Sequence, residues 1–230
     1  MKIGIFDSGI GGMNVLNRIK ELLPKEDYIY YADNLNNPYG DKDITELNKI
    51  TEDIINYLVR ANCKVVVIAC NTATTRCMSY LRSKFPNLII IGTVPAIKVA
   101  CDENYHNILV LGTPNTVKSE RVKELIDENK KDEQIVKLLG CEGLAEAIEN
   151  RELAKVRSIL IHDLGKIGPV DCVVLGCTHY NYVITEIKEI LGNVVIIDGD
   201  KGVAKEVEHQ LSLHNLLENN HGEITYIETK

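Results

Sequence analysis

The feature that most constrains the fold is that the chain repeats itself. "IGIFDSGIGGMNVLNRIKEL" (3–22) lies over "ILVLGTPNTVKSERVKEL" (108–125): each is a β-branched apolar run, a turn with a hydroxyl residue, then a stretch of helical periodicity. Ser8 and Thr113 hold equivalent places. Cys70 follows Ser8 by 62 residues and Cys177 follows Thr113 by 64. Both cysteines end an apolar run and open a polar turn, in "KVVVIACNTA" (64–73) and "DCVVLGCTHY" (171–180). A pattern written twice predicts two similar domains. We expect one over 1–94, with 199–230 packing back on it, and a second over 95–198.

Apolar strand candidates stand at 2–6, 28–32, 64–69, 88–92, 107–112, 172–176 and 193–198, with a short last one at 224–228. Between them lie 13–23, 43–61, 115–127, 144–161 and 180–191, all of helical periodicity; in 43–61, Leu47, Ile50, Ile54, Leu58 and Ala61 fall on one face. Strands that are apolar throughout, separated by helices, belong to parallel sheets covered on both sides. The expected class is α/β, with two pseudo-symmetric doubly wound domains of mainly parallel sheet and the active site in the cleft between them. Eight βα repeats of a barrel would not fit in 230 residues. The polar "LLENNHGE" (216–223) reads as a surface loop.

The net charge of -7 argues against a nucleic-acid or anionic-membrane binder, either of which needs a basic face. A small anionic substrate remains compatible, since backbone amides and hydroxyls can hold it. "MKIGIFDSG" reaches an aspartate before any leader-like apolar region, and no run approaches the roughly 20 apolar residues of a membrane span. The expected location is the cytoplasm. Seven cysteines occur without a CxxC pair, which removes the usual zinc-ribbon and redox readings, and no metal site is expected. Cys63, Cys77, Cys101, Cys141 and Cys172 read as buried structural thiols.

Cys70 and Cys177 differ from those five. A thiol at a strand's carboxyl end, ahead of a helix N-terminus, is favoured as thiolate. Two such thiols related by a repeat suit inversion of a carbon stereocentre: one base takes a proton from one face, and the conjugate acid of the other returns one to the opposite face. Asp7 ends the first strand and reaches Cys70 if the first and third strands are neighbours. His179, two residues after Cys177, can relay or stabilise charge there. Ser8, Asn71, Thr72, Thr113, Thr116 and Thr178 are neutral hydrogen-bonders in turns, suited to the charged groups of an amino acid. Taken singly, each has a plainer reading. Asp7 would be a turn or cap residue, His179 a surface or capping histidine, Tyr39 a packing aromatic, and Thr113 and Thr116 caps of the helix after Pro114.

"IFDSGIGG" (5–12), "NPYG" (37–40), "ACNTAT" (69–74) and "GCTHY" (176–180), in this order and over nearly the whole chain, resemble the cofactor-independent aspartate/glutamate racemase family. The resemblance implies interconversion of L- and D-glutamate without a cofactor, supplying D-glutamate for peptidoglycan. Cys70 matches the thiol acting on the D-enantiomer and Cys177 the one acting on the L-enantiomer. Asp7 and His179 match their assisting residues. Ser8, Pro38, Tyr39, Gly40, Asn71, Thr72 and Thr178 match substrate-contacting positions, and Thr113 and Thr116 a hydroxyl pair that receives a carboxylate. Glu149 keeps the spacing of a supporting glutamate, with Glu146 as competitor. The chain departs from the family where Asn181-Tyr182 replaces the usual Pro-Leu after "GCTHY". The expected partner is a small-molecule substrate, with a homodimer left open as the assembly. The alternatives are an aspartate or broad Asp/Glu racemase and, from another class, a non-catalytic protein that binds an acidic amino acid.

Overall fold

The computed structural model describes residues 1–230. Strands and helices alternate in the first part of the chain: β1 (Lys2–Asp7), α1 (Met13–Leu22), β2 (Tyr28–Ala32), α2 (Ile44–Arg60), β3 (Cys63–Ile68), α3 (Asn71–Lys84) and β4 (Ile89–Gly92). There follow α4 (Ile97–Asp102), β5 (Asn107–Gly112), α5 (Pro114–Val117), α6 (Glu120–Asn129), β6 (Ile135–Gly140), α7 (Leu144–Glu149) and α8 (Leu153–Leu164). The last elements are β7 (Cys172–Gly176), α9 (Ile184–Leu191), β8 (Val195–Ile197), α10 (Asp200–Leu213) and β9 (Ile224–Glu228). Contacts divide the chain into two compact units, Met1–Thr93 with Asp200–Lys230, and Val94–Gly199.

Each unit carries one sheet, and every strand pairing is parallel. The first sheet runs β4-β3-β1-β2-β9 and the second, in the same sense, β8-β7-β5-β6. In both, the unit's first strand pairs with its second on one side and its third on the other, and the fourth lies outside the third. The repeat seen in the sequence is thus a repeat of topology, to which the first sheet adds β9. The chain reverses its winding direction between β1 and β3, and again between β5 and β7. Ligands of open α/β sheets sit at the carboxyl ends of the strands at such a point.

The two-residue period of the strands supplies a core on each side of each sheet. Ile3, Ile5, Val65 and Val67 pack with Val15, Leu16 and Ile19 of α1 and Val203, Val207 and Leu211 of α10. Phe6, Val66 and Ile68 face the other way, onto α2 and α3. In the second unit Leu109, Leu111, Val173 and Leu175 pack on α7, α8 and α9. Ile108, Val110, Cys172 and Val174 pack on α4 and α6. All seven cysteines are buried and none is in a disulfide, and burial pushes the thiols of Cys63 and Cys77 up to about 11 and that of Cys172 to about 12. No helix is long and apolar enough to cross a membrane.

Three expected helices are corrected. The stretch 144–161 is two helices, because Arg151 takes a left-handed φ of 58° and the amide of Glu152 turns back to Ala147 O at 2.8 Å. The periodicity ran through the break because Leu144, Ile148, Val156 and Leu160 all reach one core. The stretch 115–127 is interrupted where Ser119 starts α6, its side chain accepting from the Val122 amide. The stretch 180–191 begins as a 3-10 turn over Thr178–Val183. Strand β6 was not expected: at a sheet edge its apolar residues are only partly covered, so "QIVKLLG" reads as mixed.

At the start of β3 lies a buried ion pair. Lys64 Nζ stands 2.6 Å from Glu26 Oε2, with side chains 1% and 2% exposed, and it donates to Leu216 O at 2.6 Å. Glu26 also accepts from the Glu218 amide at 2.8 Å, which fastens the segment between α10 and β9 to this pair. Lys64→Met leaves Glu26 buried without its cation and is expected to lower stability by roughly 3–5 kcal/mol in urea unfolding. Adding Glu26→Gln removes the stranded charge while keeping an acceptor for Glu218, and should recover most of the loss. A single variant as stable as the parent would show that the pair is idle.

Candidate active site

In the first unit the site is built from the ends of β1 and β3. Pairing of Phe6 with Ile68 brings Asp7 beside Ala69, one residue short of Cys70. Asp7 is fully buried. Its Oδ2 accepts from the amides of Gly9 at 3.2 Å and Gly12 at 3.1 Å, so the glycine turn fixes the carboxylate by two charge-assisted bonds. Tyr30 closes the turn by donating to Gly9 O at 2.7 Å. Gly12 is required for close approach rather than for its backbone angles: a Cβ there would lie 2.7 Å from Asp7 Cβ and 2.9 Å from Ala69 Cβ.

Cys70 is the N-cap residue of the 14-residue α3, at the positive end of a full helix dipole. Ser8, Asn71 and Thr72 are buried around these strand ends. Asn71 Oδ1 has no hydrogen-bond partner in the protein although the residue is only 4% exposed, so a buried acceptor is left for something that donates. Pro38 and Gly40 flank Tyr39 in the loop after β2. Tyr39 is buried, and its hydroxyl donates to Asp33 Oδ2 at 2.7 Å. Burial, then Asp33, then the charges of Cys70 and Asp7 hold this phenol well above its ordinary pKa, as a donor.

In the second unit the equivalent strand ends are those of β5 and β7, where Gly112 pairs with Gly176. Thr113 does cap α5: its Oγ1 accepts from the Thr116 amide at 3.2 Å and lies 3.0 Å from Thr116 Oγ1. The cap and the hydroxyl pair are one arrangement. Cys177 follows β7, and its Sγ lies 3.9 Å from His179 Nδ1. The expected helix N-terminus after it is here the six-residue 3-10 turn, which starts with buried Thr178 and His179. His179 Nε2 is hydrogen-bonded to Glu149 Oε2. Of the two glutamates, Glu149 reaches the histidine from the end of α7. Glu146 is half-exposed and faces Lys155 at 3.9 Å.

Sequence reasoning missed Tyr180 and Asp33. Fully buried Tyr180 donates to Gly112 O at 3.1 Å and sits 3.4 Å from Cys141 O, tying the Cys177 turn to the ends of β5 and β6. Burial, the hydrogen bond that the thiol donates to Asp163 and the charge of Asp163 push the Cys141 thiol up, which keeps it protonated. Asp33 had an available signal, since it follows β2 as Asp7 ends β1. No group of three or more His, Cys, Asp and Glu side chains is disposed to hold a metal ion.

Two parallel sheets of one topology, each ending in a buried cysteine with an acid or histidine at hand, define a class, and the sequence agrees. The chain belongs to the Asp/Glu/hydantoin racemase family, whose model matches residues 3–207. It is an isomerase of the racemase type. Within that family it is similar to the glutamate racemase of Campylobacter curvus, at 41% identity over 94% of this chain and 85% of that one. Escherichia coli glutamate racemase, solved with L-glutamate and the activator UDP-MurNAc-ala, is 32% identical with a TM-score of 0.82, covering 92% of this chain and 82% of that one. The Francisella tularensis glutamate racemase, solved with D-glutamate, is 26% identical with a TM-score of 0.87, covering 100% and 88%.

Gly12→Ala tests the carboxylate cradle. The new methyl must displace Asp7 or Ala69, both fixed on strand ends. The variant should lose roughly 1–3 kcal/mol in urea unfolding, together with most racemase activity. Full activity would show that Asp7 need not be held where the glycine turn places it.

Proposed function

We propose that the protein interconverts L- and D-glutamate by moving the α-proton between two thiols, and that D-glutamate for peptidoglycan is the product it supplies. The observation that carries the reading is the placement of Cys70 and Cys177 at equivalent strand ends of two sheets of one topology, each with its own ionisable helper. As a thiolate, Cys70 removes the α-proton of D-glutamate while the Cys177 thiol protonates the opposite face; with L-glutamate the roles exchange. A proton returned by the base that took it would restore the starting enantiomer, so inversion requires both. The chemistry asks for neither pyridoxal phosphate nor a metal.

Asp7 stands beside Cys70 as its helper on the first strand end, and His179, backed by Glu149, is the helper of Cys177. The orphaned Asn71 Oδ1 suits the substrate ammonium, and the Thr113–Thr116 pair a carboxylate. Ser8, Pro38, Tyr39, Gly40, Thr72 and Thr178 complete the substrate-facing set. Similarity to glutamate racemases over most of both chains supports glutamate over aspartate as the substrate.

Incubation with L-glutamate in heavy water, with no cofactor added, should place deuterium on the α-carbon while circular dichroism decays to zero. Cys70→Ala and Cys177→Ala should each lower the rate by about 10²–10⁴-fold or more. Near-normal racemisation by either variant would sink the two-base scheme. Saturable glutamate binding without α-proton exchange would make the chain a binding protein, and faster turnover of aspartate would reassign the substrate.

A further inference from the structure

The loop that carries Tyr39 is held from a distant part of the chain. Asp33, 1% exposed, opens this loop immediately after β2. Its carboxylate has no Lys or Arg partner and is satisfied instead by hydrogen bonds. Asn36 Nδ2 donates to both oxygens at 3.0 Å, the Tyr39 hydroxyl to Oδ2 at 2.7 Å, and the Thr229 hydroxyl to Oδ1 at 3.0 Å. Thr229 comes directly after β9, which pairs with β2 along its whole length. Thr229 also accepts from the Leu35 amide on Oγ1 at 2.9 Å, and its own amide donates to Ala32 O at 3.1 Å. It therefore grips the chain on both sides of Asp33. The Asp33 amide in turn donates to Asp7 O at 3.0 Å.

We propose that Asp33 and Thr229 are positioning residues for the substrate loop: together they clamp "NPYG", and Tyr39 above all, beside Asp7 and Cys70, which makes β9 part of the working site. The proposal rests on the assignment of Tyr39 and Gly40 as substrate contacts. A carboxylate out of water and without a cation requires nearly every one of its donors, since leaving a buried charged group short of a partner is strongly unfavourable. The arrangement is therefore either fully made or broken. When it is made, it spans three pieces of chain: the end of β2, the loop at 36–39 and the end of β9. It also fixes the Tyr39 hydroxyl as a donor pointed at Asp33, so the phenol is spent on holding its own loop. The substrate would then meet the pocket the loop forms, not a freely rotating hydroxyl.

The test is a set of variants read in two ways. Asp33→Asn keeps the shape but presents an amide where Tyr39 and Thr229 need an acceptor. It should raise KM for glutamate about 10-fold with kcat changed much less, the pattern of lost binding rather than lost chemistry. Tyr39→Phe should do the same, and the double variant should be no worse than either single one, because both remove one interaction. Thr229→Val should raise KM in the same direction, and Thr229→Ser, which restores the hydroxyl, should return it to the parent value. Amide hydrogen exchange should quicken over 34–41 in Asp33→Asn and Thr229→Val while that of β3 stays unchanged. Additive effects of Asp33→Asn and Tyr39→Phe, or parental KM and exchange in Thr229→Val, would overturn the clamp. Were Asp33→Asn to misfold, the Thr229 pair decides alone. Lack of racemisation by the parent protein would refute the proposed activity instead, and the exchange measurement would still judge the clamp.

Discussion

Everything chemical in this protein depends on which strands are hydrogen-bonded to which. Parallel pairing of β1 with β3 and of β5 with β7 fixes the positions of four strand ends to within a residue. It sets Asp7 next to the residue before Cys70, and Thr113 opposite Cys177. Parallel strands must end on the same side, so the side chains that follow them are gathered without any loop having to find its place. The helices then follow from the same requirement, because a sheet apolar on both faces has to be covered twice. A thiol mounted this way is held by backbone hydrogen bonds and by packing on two sides, which is the rigidity that the proposed proton transfer would demand.

The two halves solve one problem with different groups. At the first, a carboxylate is fixed by two amides of a glycine turn, and the thiol caps a long helix. At the second, a histidine braced by a glutamate faces a thiol whose following turn is 3-10, with a much weaker dipole. In the proposed reaction the imidazole would supply there a movable proton that the first half lacks. The Thr113–Thr116 pair and the Asn71 acceptor are likewise found in one unit each, so the repeat is a repeat of scaffold more than of chemistry.

What could be read from the sequence follows this division. The duplicated strand–turn–helix pattern was legible because β1, β3, β5 and β7 are central strands with continuous apolar runs, and their ends carry the unusual residues. β6 was hidden because an edge strand shows water part of its surface. The break in 144–161 was hidden because both helices face the same core, so the apolar period never faltered; only the backbone of Arg151 betrays it. Asp33 was overlooked although it occupies after β2 the place that Asp7 occupies at the end of β1. Its partner Thr229 lies 196 residues away, and no local pattern can announce a hydrogen bond across that separation. Choosing Glu149 over Glu146 likewise needed the direction in which each leaves α7, since three residues put both on neighbouring faces of one turn.

The chemical asymmetry of the two halves meets a thermodynamic symmetry in the proposed reaction. L- and D-glutamate are mirror images, so in water their equilibrium constant is one, whatever the enzyme does. The ratio of kcat/KM in the two directions must equal that constant. The fixed carboxylate beside Cys70 and the histidine beside Cys177 therefore cannot favour one enantiomer's net conversion. They can only divide the same kcat/KM differently between binding and turnover: an interaction that tightens one enantiomer's ground state lowers its KM and its kcat together. Under the proposed scheme the His179–Glu149 pair and the Asp7 cradle are thus two ways of placing a thiol's proton, matched not in structure but in the sum of their effects along the reaction path.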